Sequence, residues 1–148
     1  MAASGTNIVD ANVWLALVAA DHLHHTVALA WFDEQRDGSC AFCRITQMAL
    51  LRHLTNAKVM GDGNAVSQAG AWECFEHLVR DPRVNFANEP VGLEEQFRQL
   101  TRSAHSKHSA WTDAYLAAFA KAGAYGIVTL DKYFLGMSDL RVTWLRNA

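Results

Sequence analysis

Three aspartates stand where chemistry can be done. Asp10 directly follows the apolar run TNIV, residues 6–9, and Asp131 directly follows IVTL. Asp113 lies in SAWTDAYLAAFA and is the only charged side chain between Trp111 and Phe119. Each has an ordinary explanation taken singly. Asp10 and Asp131 can cap the helices they precede, and Asp113 suits the first turn of a helix beginning near Ser109 or Thr112, where the dipole favours an anion. Together they point further. A buried, uncompensated carboxylate is costly. Converging carboxylates without basic partners suit a hard divalent ion such as Mg2+ or Mn2+. One or two such ions polarise a phosphoryl group and activate water for in-line attack.

Those aspartates need elements to hold them. Short apolar runs alternate with longer helical patterns along the chain. Strands are predicted at residues 6–9, 39–43, 84–86, 127–130 and 142–145. Helices are predicted over 10–20, 24–35, 46–56, 66–79, 93–104 and 110–122. Met48, Leu51 and Thr55 recur on one side of the third helix, and Ala69, Trp72, Phe75, Leu78 and Val79 recur on the fourth. The helix over 110–122 is apolar nearly all round and is predicted to end at Gly123. Strands separated by helices predict an α/β fold, a parallel sheet covered on both faces. In such sheets sites form beyond the carboxyl ends of the strands, where Asp10 and Asp131 stand.

Composition bounds the rest. The chain has 148 residues, 13 Lys plus Arg, 15 Asp plus Glu, and a formal charge of −2. That length fits one domain over 1–148 with a full core. A charge near zero means that any polyanion site must be a local patch. The longest apolar run, Val13 to Ala20, is far short of a membrane span. The N-terminus has no Lys or Arg ahead of its apolar stretch, so a signal peptide is not expected and the chain reads as cytoplasmic, with no membrane partner. Cys40 and Cys43 form one CxxC with no second half to complete a zinc site, so CAFC reads as a buried strand. His22, His24 and His25 lack a carboxylate at ligand spacing and read as a partly exposed helix start. No Walker A loop, GxGxxG, GxSxG or HExxH is present.

Longer segments resemble a known family. IVDANVWLALV resembles the first strand and helix of a PIN domain, with its leading aspartate. HSAWTDAYLAAFAKAGAYGIVTLDKYF resembles the second half of that domain: an aspartate opening an apolar helix, a strand, then an aspartate in TLDxxF. DHLHHTVALAWF and ITQMALLRHLTN resemble the helices between. Spacing and length are similar to the VapC toxins of bacterial toxin–antitoxin pairs. The resemblance implies a three-layer α/β/α fold around a mainly parallel sheet of about five strands. It implies a Mg2+- or Mn2+-dependent endoribonuclease with Asp10, Asp113 and Asp131 as metal ligands, a homodimer, and a VapB-like antitoxin partner. Thr129 and Ser109 become candidate supporting hydroxyls.

This sequence departs from the family in one place. The glutamate usual in the third helix is missing: residues 46–56 contain no Asp or Glu, and Gln47 or Ala49 stands in its neighbourhood. Gln47 is therefore a candidate catalytic residue, supplying a neutral oxygen or orienting water, and one bound ion is favoured over two. For RNA, the segment Arg98 to His108 is basic and free of acids. Arg98, Arg102 and His105 are expected on one helical face, with Lys107 beyond, to hold phosphates. Asn12, two residues after Asp10, can touch a phosphate or the ion's water shell. Arg44 and Arg52 form a weaker second patch. An antitoxin is expected to lay an apolar helix and a basic tail over the acidic site, and some of the five tryptophans are expected to line an interface. Two other readings remain open. One is a PIN-like scaffold that binds RNA or antitoxin without efficient cutting. The other is a phosphatase using Asp10 as nucleophile, which Asn12 disfavours because a second aspartate is wanted there.

Overall fold

In the computed structural model, residues 5–102 and 108–146 are described. Five strands, β1 (Asn7–Val9), β2 (Cys40–Phe42), β3 (Val84–Phe86), β4 (Gly126–Thr129) and β5 (Val142–Trp144), form one sheet in the order β3-β2-β1-β4-β5. All four pairings are parallel. The helices are α1 (Ala11–Val18), α2 (His25–Asp33), α3 (Arg44–Leu54), α4 (Ala57–Met60), α5 (Gln68–Val79), α6 (Leu93–Leu100) and α7 (Ala110–Gly123), and a 3-10 turn spans Lys132–Gly136. None is long and apolar enough to cross a membrane among the described residues.

Alternation along the strands divides the core in two. Val9, Cys40, Phe42 and Val128 face one way, into a cluster with side chains of α1, α2, α3 and α5. Ile8, Ala41, Cys43 and Ile127 face the other way, against α6 and α7. The result is the three-layer α/β/α arrangement. Trp14 stacks on Phe42 with centroids 4.0 Å apart, and Phe75 meets Phe42 edge-on at 4.9 Å. CAFC is a buried strand end with free thiols, as expected.

Several local expectations are corrected. Met48, Leu51 and Thr55 do share one side of α3, but Met48 and Thr55 are exposed there and the helix buries Thr46, Gln47, Leu50 and Leu54. α5 buries Ala71, Phe75 and Leu78 and leaves Trp72 exposed. Both helices carry apolar side chains on two faces, so the stripe alone did not fix which one packs. The sixth helix stops at Leu100, not near 104, because Thr101 turns its hydroxyl back onto the Phe97 carbonyl at 2.7 Å. α7 runs through Gly123, and Ala124 takes the left-handed closing position at φ 58°. Gly123 is needed for space instead: a Cβ there would run into the Tyr125 ring. α4 and the 3-10 turn were not foreseen, being too short to show a period.

The strand order fixes where a site can form. The chain lays β2 and β3 outward on one side of β1, then returns to add β4 and β5 on the other. The crevice beyond the carboxyl ends of β1 and β4 is the switch point of this sheet, where ligands bind in open α/β folds.

Candidate active site

Asp10 and Asp131 occupy that switch point. The Asp10 amide still donates to the Val128 carbonyl of β4 at 2.8 Å, so the aspartate is fixed as the strand gives way to α1. Its Oδ1 accepts from the Ala11 amide at 2.8 Å, and its Oδ2 accepts from the Thr129 hydroxyl at 2.8 Å. The same Thr129 Oγ1 accepts from the Asp131 amide at 3.0 Å. Asp131 Oδ1 in turn accepts from the Tyr133 amide at 3.0 Å and so opens the 3-10 turn. Both aspartates are caps as well as site residues. Thr129, fully buried at the end of β4, joins them.

Burial pushes the Asp10 carboxyl above its ordinary value. The bonds from Thr129 and Ala11 oppose this, and the charge of Asp131 adds to it. Asp113 approaches from the first turn of α7. The Tyr133 hydroxyl is pushed up by burial, then by the charges of Asp113 and Asp131, so that phenol lies in the field of both. Sequence reasoning had passed over Tyr133, although its place two residues after Asp131 marks it.

The donor set is made of carboxylate and hydroxyl oxygens, which fits a hard divalent ion. Neither Asp10 nor Asp131 forms an ion pair with Lys or Arg among the described residues. Lys132, adjacent to Asp131 in sequence, lies over the Trp144 ring instead. Among the described residues no three His, Cys, Asp or Glu side chains, as placed, are grouped closely enough to hold an ion. Asp10 and Asp131 are linked through the Thr129 hydroxyl.

The other expected residues divide. Asn12 Oδ1 accepts from the Leu130 amide at 3.4 Å, which ties α1 to the segment before Asp131. Gln47 is buried, and its Oε1 accepts from Arg44 Nη1 at 2.6 Å, so its oxygen is already engaged. Ser109 precedes α7 without capping it. Arg98 is held by Glu94 at 3.0 Å on an exposed face, and Arg102 lies past the end of α6, so the two do not share a helical face. The basic run was read without the acids one turn earlier. His105 and Lys107 lie outside the described residues. His25 Nδ1 sits 2.7 Å from the Ala16 carbonyl, a structural contact between α2 and α1. Of the tryptophans, Trp14 is core, whereas Trp72 and Trp111 are exposed.

Comparison with known proteins agrees with this geometry. The model of the PIN domain family matches residues 8–140. Ribonuclease VapC41 of Mycobacterium tuberculosis is 40% identical over 131 residues, covering 86% of this chain and 90% of that protein. The structure of Mycobacterium tuberculosis VapC20, described as a sarcin–ricin-loop-cleaving toxin, superposes with a TM-score of 0.66 at 17% identity, over 92% of this chain and 99% of that one. A chain of a toxin–antitoxin complex from Klebsiella pneumoniae superposes with a TM-score of 0.62 at 17% identity, over 93% and 96% of the two chains. An acidic pair joined by a threonine at the switch point of a five-stranded parallel sheet, and a family match over most of its length, place this chain in the PIN domain family.

Proposed function

We propose that this chain is an endoribonuclease toxin of the VapC type, hydrolysing RNA phosphodiester bonds with Mg2+ or Mn2+ held by Asp10, Asp113 and Asp131. The observation that carries the reading is the Asp10–Thr129–Asp131 arrangement at the switch point. It concentrates negative charge where burial already disfavours it. A bound divalent ion would supply Lewis-acid polarisation of the phosphate and activation of water. The protein's own part is orientation. Thr129 fixes one Asp10 oxygen and the Ala11 amide fixes the other, so the carboxylate is set before any ligand arrives. Asn12 holds the chain at Leu130, and Tyr133 stands beside Asp113 and Asp131. The relatives named as ribonucleases support the reaction class. The toxin–antitoxin neighbours support a VapB-like antitoxin as partner, and a homodimer acting in the cytoplasm belongs to the same reading.

The test is cleavage of a mixed tRNA and rRNA pool by the purified chain, with EDTA, Mg2+ or Mn2+, beside Asp113→Asn. Discrete fragments that need the divalent ion and vanish in the variant are expected. One observation favours a second reading, a binding scaffold with weak catalysis: α3 carries no Asp or Glu, and its Gln47 is neutral and tied to Arg44. A folded chain that binds antitoxin and cuts no RNA under either metal would favour it.

A further inference from the structure

The carboxyl edge of the sheet carries more than its acidic centre. On the β2–β3 side, the Arg44 guanidinium lies 4.7 Å from the centroid of the Phe86 ring, and Gln47 holds its Nη1 at 2.6 Å. On the β5 side, Lys132 Nζ and the Arg146 guanidinium lie 5.3 Å and 4.9 Å from the centroid of the Trp144 ring. Trp144 is itself fixed, its Nε1 donating to the Leu130 carbonyl at 3.2 Å. Phe86 and Trp144 are the last residues of β3 and β5, and Arg44 and Arg146 stand two residues beyond β2 and β5. The strand order therefore sets cation and aromatic on one flank, Asp10 and Asp131 in the middle, and aromatic and cations on the other flank.

All three cations are exposed, and none forms an ion pair among the described residues. Their partners are a neutral amide and aromatic rings. These restrict the side chains without cancelling their charge, and they leave guanidinium donors for an outside anion. From β2 to β5 is three inter-strand spacings, about 14 Å. Holding the strand on both sides of the reacting phosphate orients that phosphate for attack. Resting on the endoribonuclease reading above, we propose that a single RNA strand crosses the carboxyl edge of the sheet. Its phosphates are held by Arg44 on one side of the carboxylates and by Lys132 and Arg146 on the other. Gln47 is a positioning residue: it aims Arg44, and its neutrality keeps that cation uncompensated. This path differs from the α6 face, where Arg98 already has Glu94 as a partner.

The experiment reads the salt dependence of binding to a fluorescent single-stranded RNA, with Mg2+ present, in the Asp113→Asn background. Each lost phosphate contact lowers the slope of log K against log salt by about 0.7 for a single strand. Arg44→Ala is expected to lower it by about 0.7, and Lys132→Ala with Arg146→Ala by about 1.4. Arg98→Ala is expected to leave it unchanged. Gln47→Glu is expected to act like Arg44→Ala, because a carboxylate on the guanidinium neutralises it. An unchanged slope on either flank overturns the path, as does a fall of this size with Arg98→Ala. A Gln47→Glu chain that keeps its slope and binds Mn2+ more tightly instead assigns Gln47 to the metal and overturns its positioning role. The native chain is assayed for cutting alongside. If it neither binds nor cuts RNA, the endoribonuclease reading falls and takes the path with it. If it cuts while the slopes stay unchanged, the path alone falls.

Discussion

Thr129 shows how one side chain can organise two others. Its hydroxyl donates a hydrogen bond to Asp10 and accepts one from the Asp131 amide, from a position closed to solvent. Thr129→Val keeps the shape and removes both bonds. Loss of a hydrogen bond that orients a metal-binding side chain typically costs about 10–100-fold in affinity or activity. A drop of that order in Mn2+ affinity, by titration calorimetry, is the expected outcome. Asp10 yields a prediction in pH. Its folded carboxyl sits above the ordinary value of 3.8, chiefly through burial. Such a group contributes stability that is full below the unfolded value and is lost as pH rises through the folded one. Without metal, ionising the buried Asp10 therefore costs the fold stability. Asp10→Asn is expected to melt higher than the native chain near neutrality in EDTA, with the gap closing as the pH falls toward 3.8. Melting curves across that range check the sign.

At the scale of elements, β2 is buried along its whole length. Phe42 lies between Trp14 and Phe75 and is fully buried. Phe42→Ala removes that packing, at a cost of about 3–5 kcal/mol for a buried phenylalanine; chemical denaturation measures it. The cysteines of the same strand are structural. Burial pushes the Cys40 thiol up to about 11, and Cys43 is also raised by burial. Cys74, on α5, is only partly buried. A thiol reagent at neutral pH is expected to label Cys74 well ahead of the other two in the native chain, as read by mass spectrometry. CAFC was legible from sequence as a strand because its apolar run has little other use. The packing faces of α3 and α5 were not legible, since Met48 and Trp72 are as apolar as the side chains that are buried.

For the whole molecule, the net charge of −2 gives no attraction for a polyanion, so the distribution of charge must do that work. A folded chain that holds a divalent ion, while its unfolded form does not, gains about 2.7 kcal/mol when the ion is at a hundred times its Kd. For a domain of this size that corresponds to a rise of roughly 5–10 °C in melting temperature. Mn2+ is expected to raise Tm in the native chain and to have much less effect on Asp10→Asn, as checked by differential scanning calorimetry. A rise that survives that substitution would place the ion elsewhere.

The sequence by itself determined the alternation of strands and helices and the three aspartates that end or begin them. Those features are local: a buried strand, a cap and an apolar helix each leave a mark within a few residues. That residues 46–56 hold no Asp or Glu was readable directly, and its meaning came from the resemblance. Only the tertiary structure decided which distant groups meet. Thr129 and Asp10 lie 119 residues apart and are joined because β1 and β4 pair. Arg44 reaches Phe86, and Lys132 reaches Trp144, at ends of strands whose order no local pattern encodes. Glu94, one helical turn before Arg98 on α6, pairs with it and was within reach of the sequence. Charge is written along the chain, but whether it is cancelled depends on which neighbour the fold supplies.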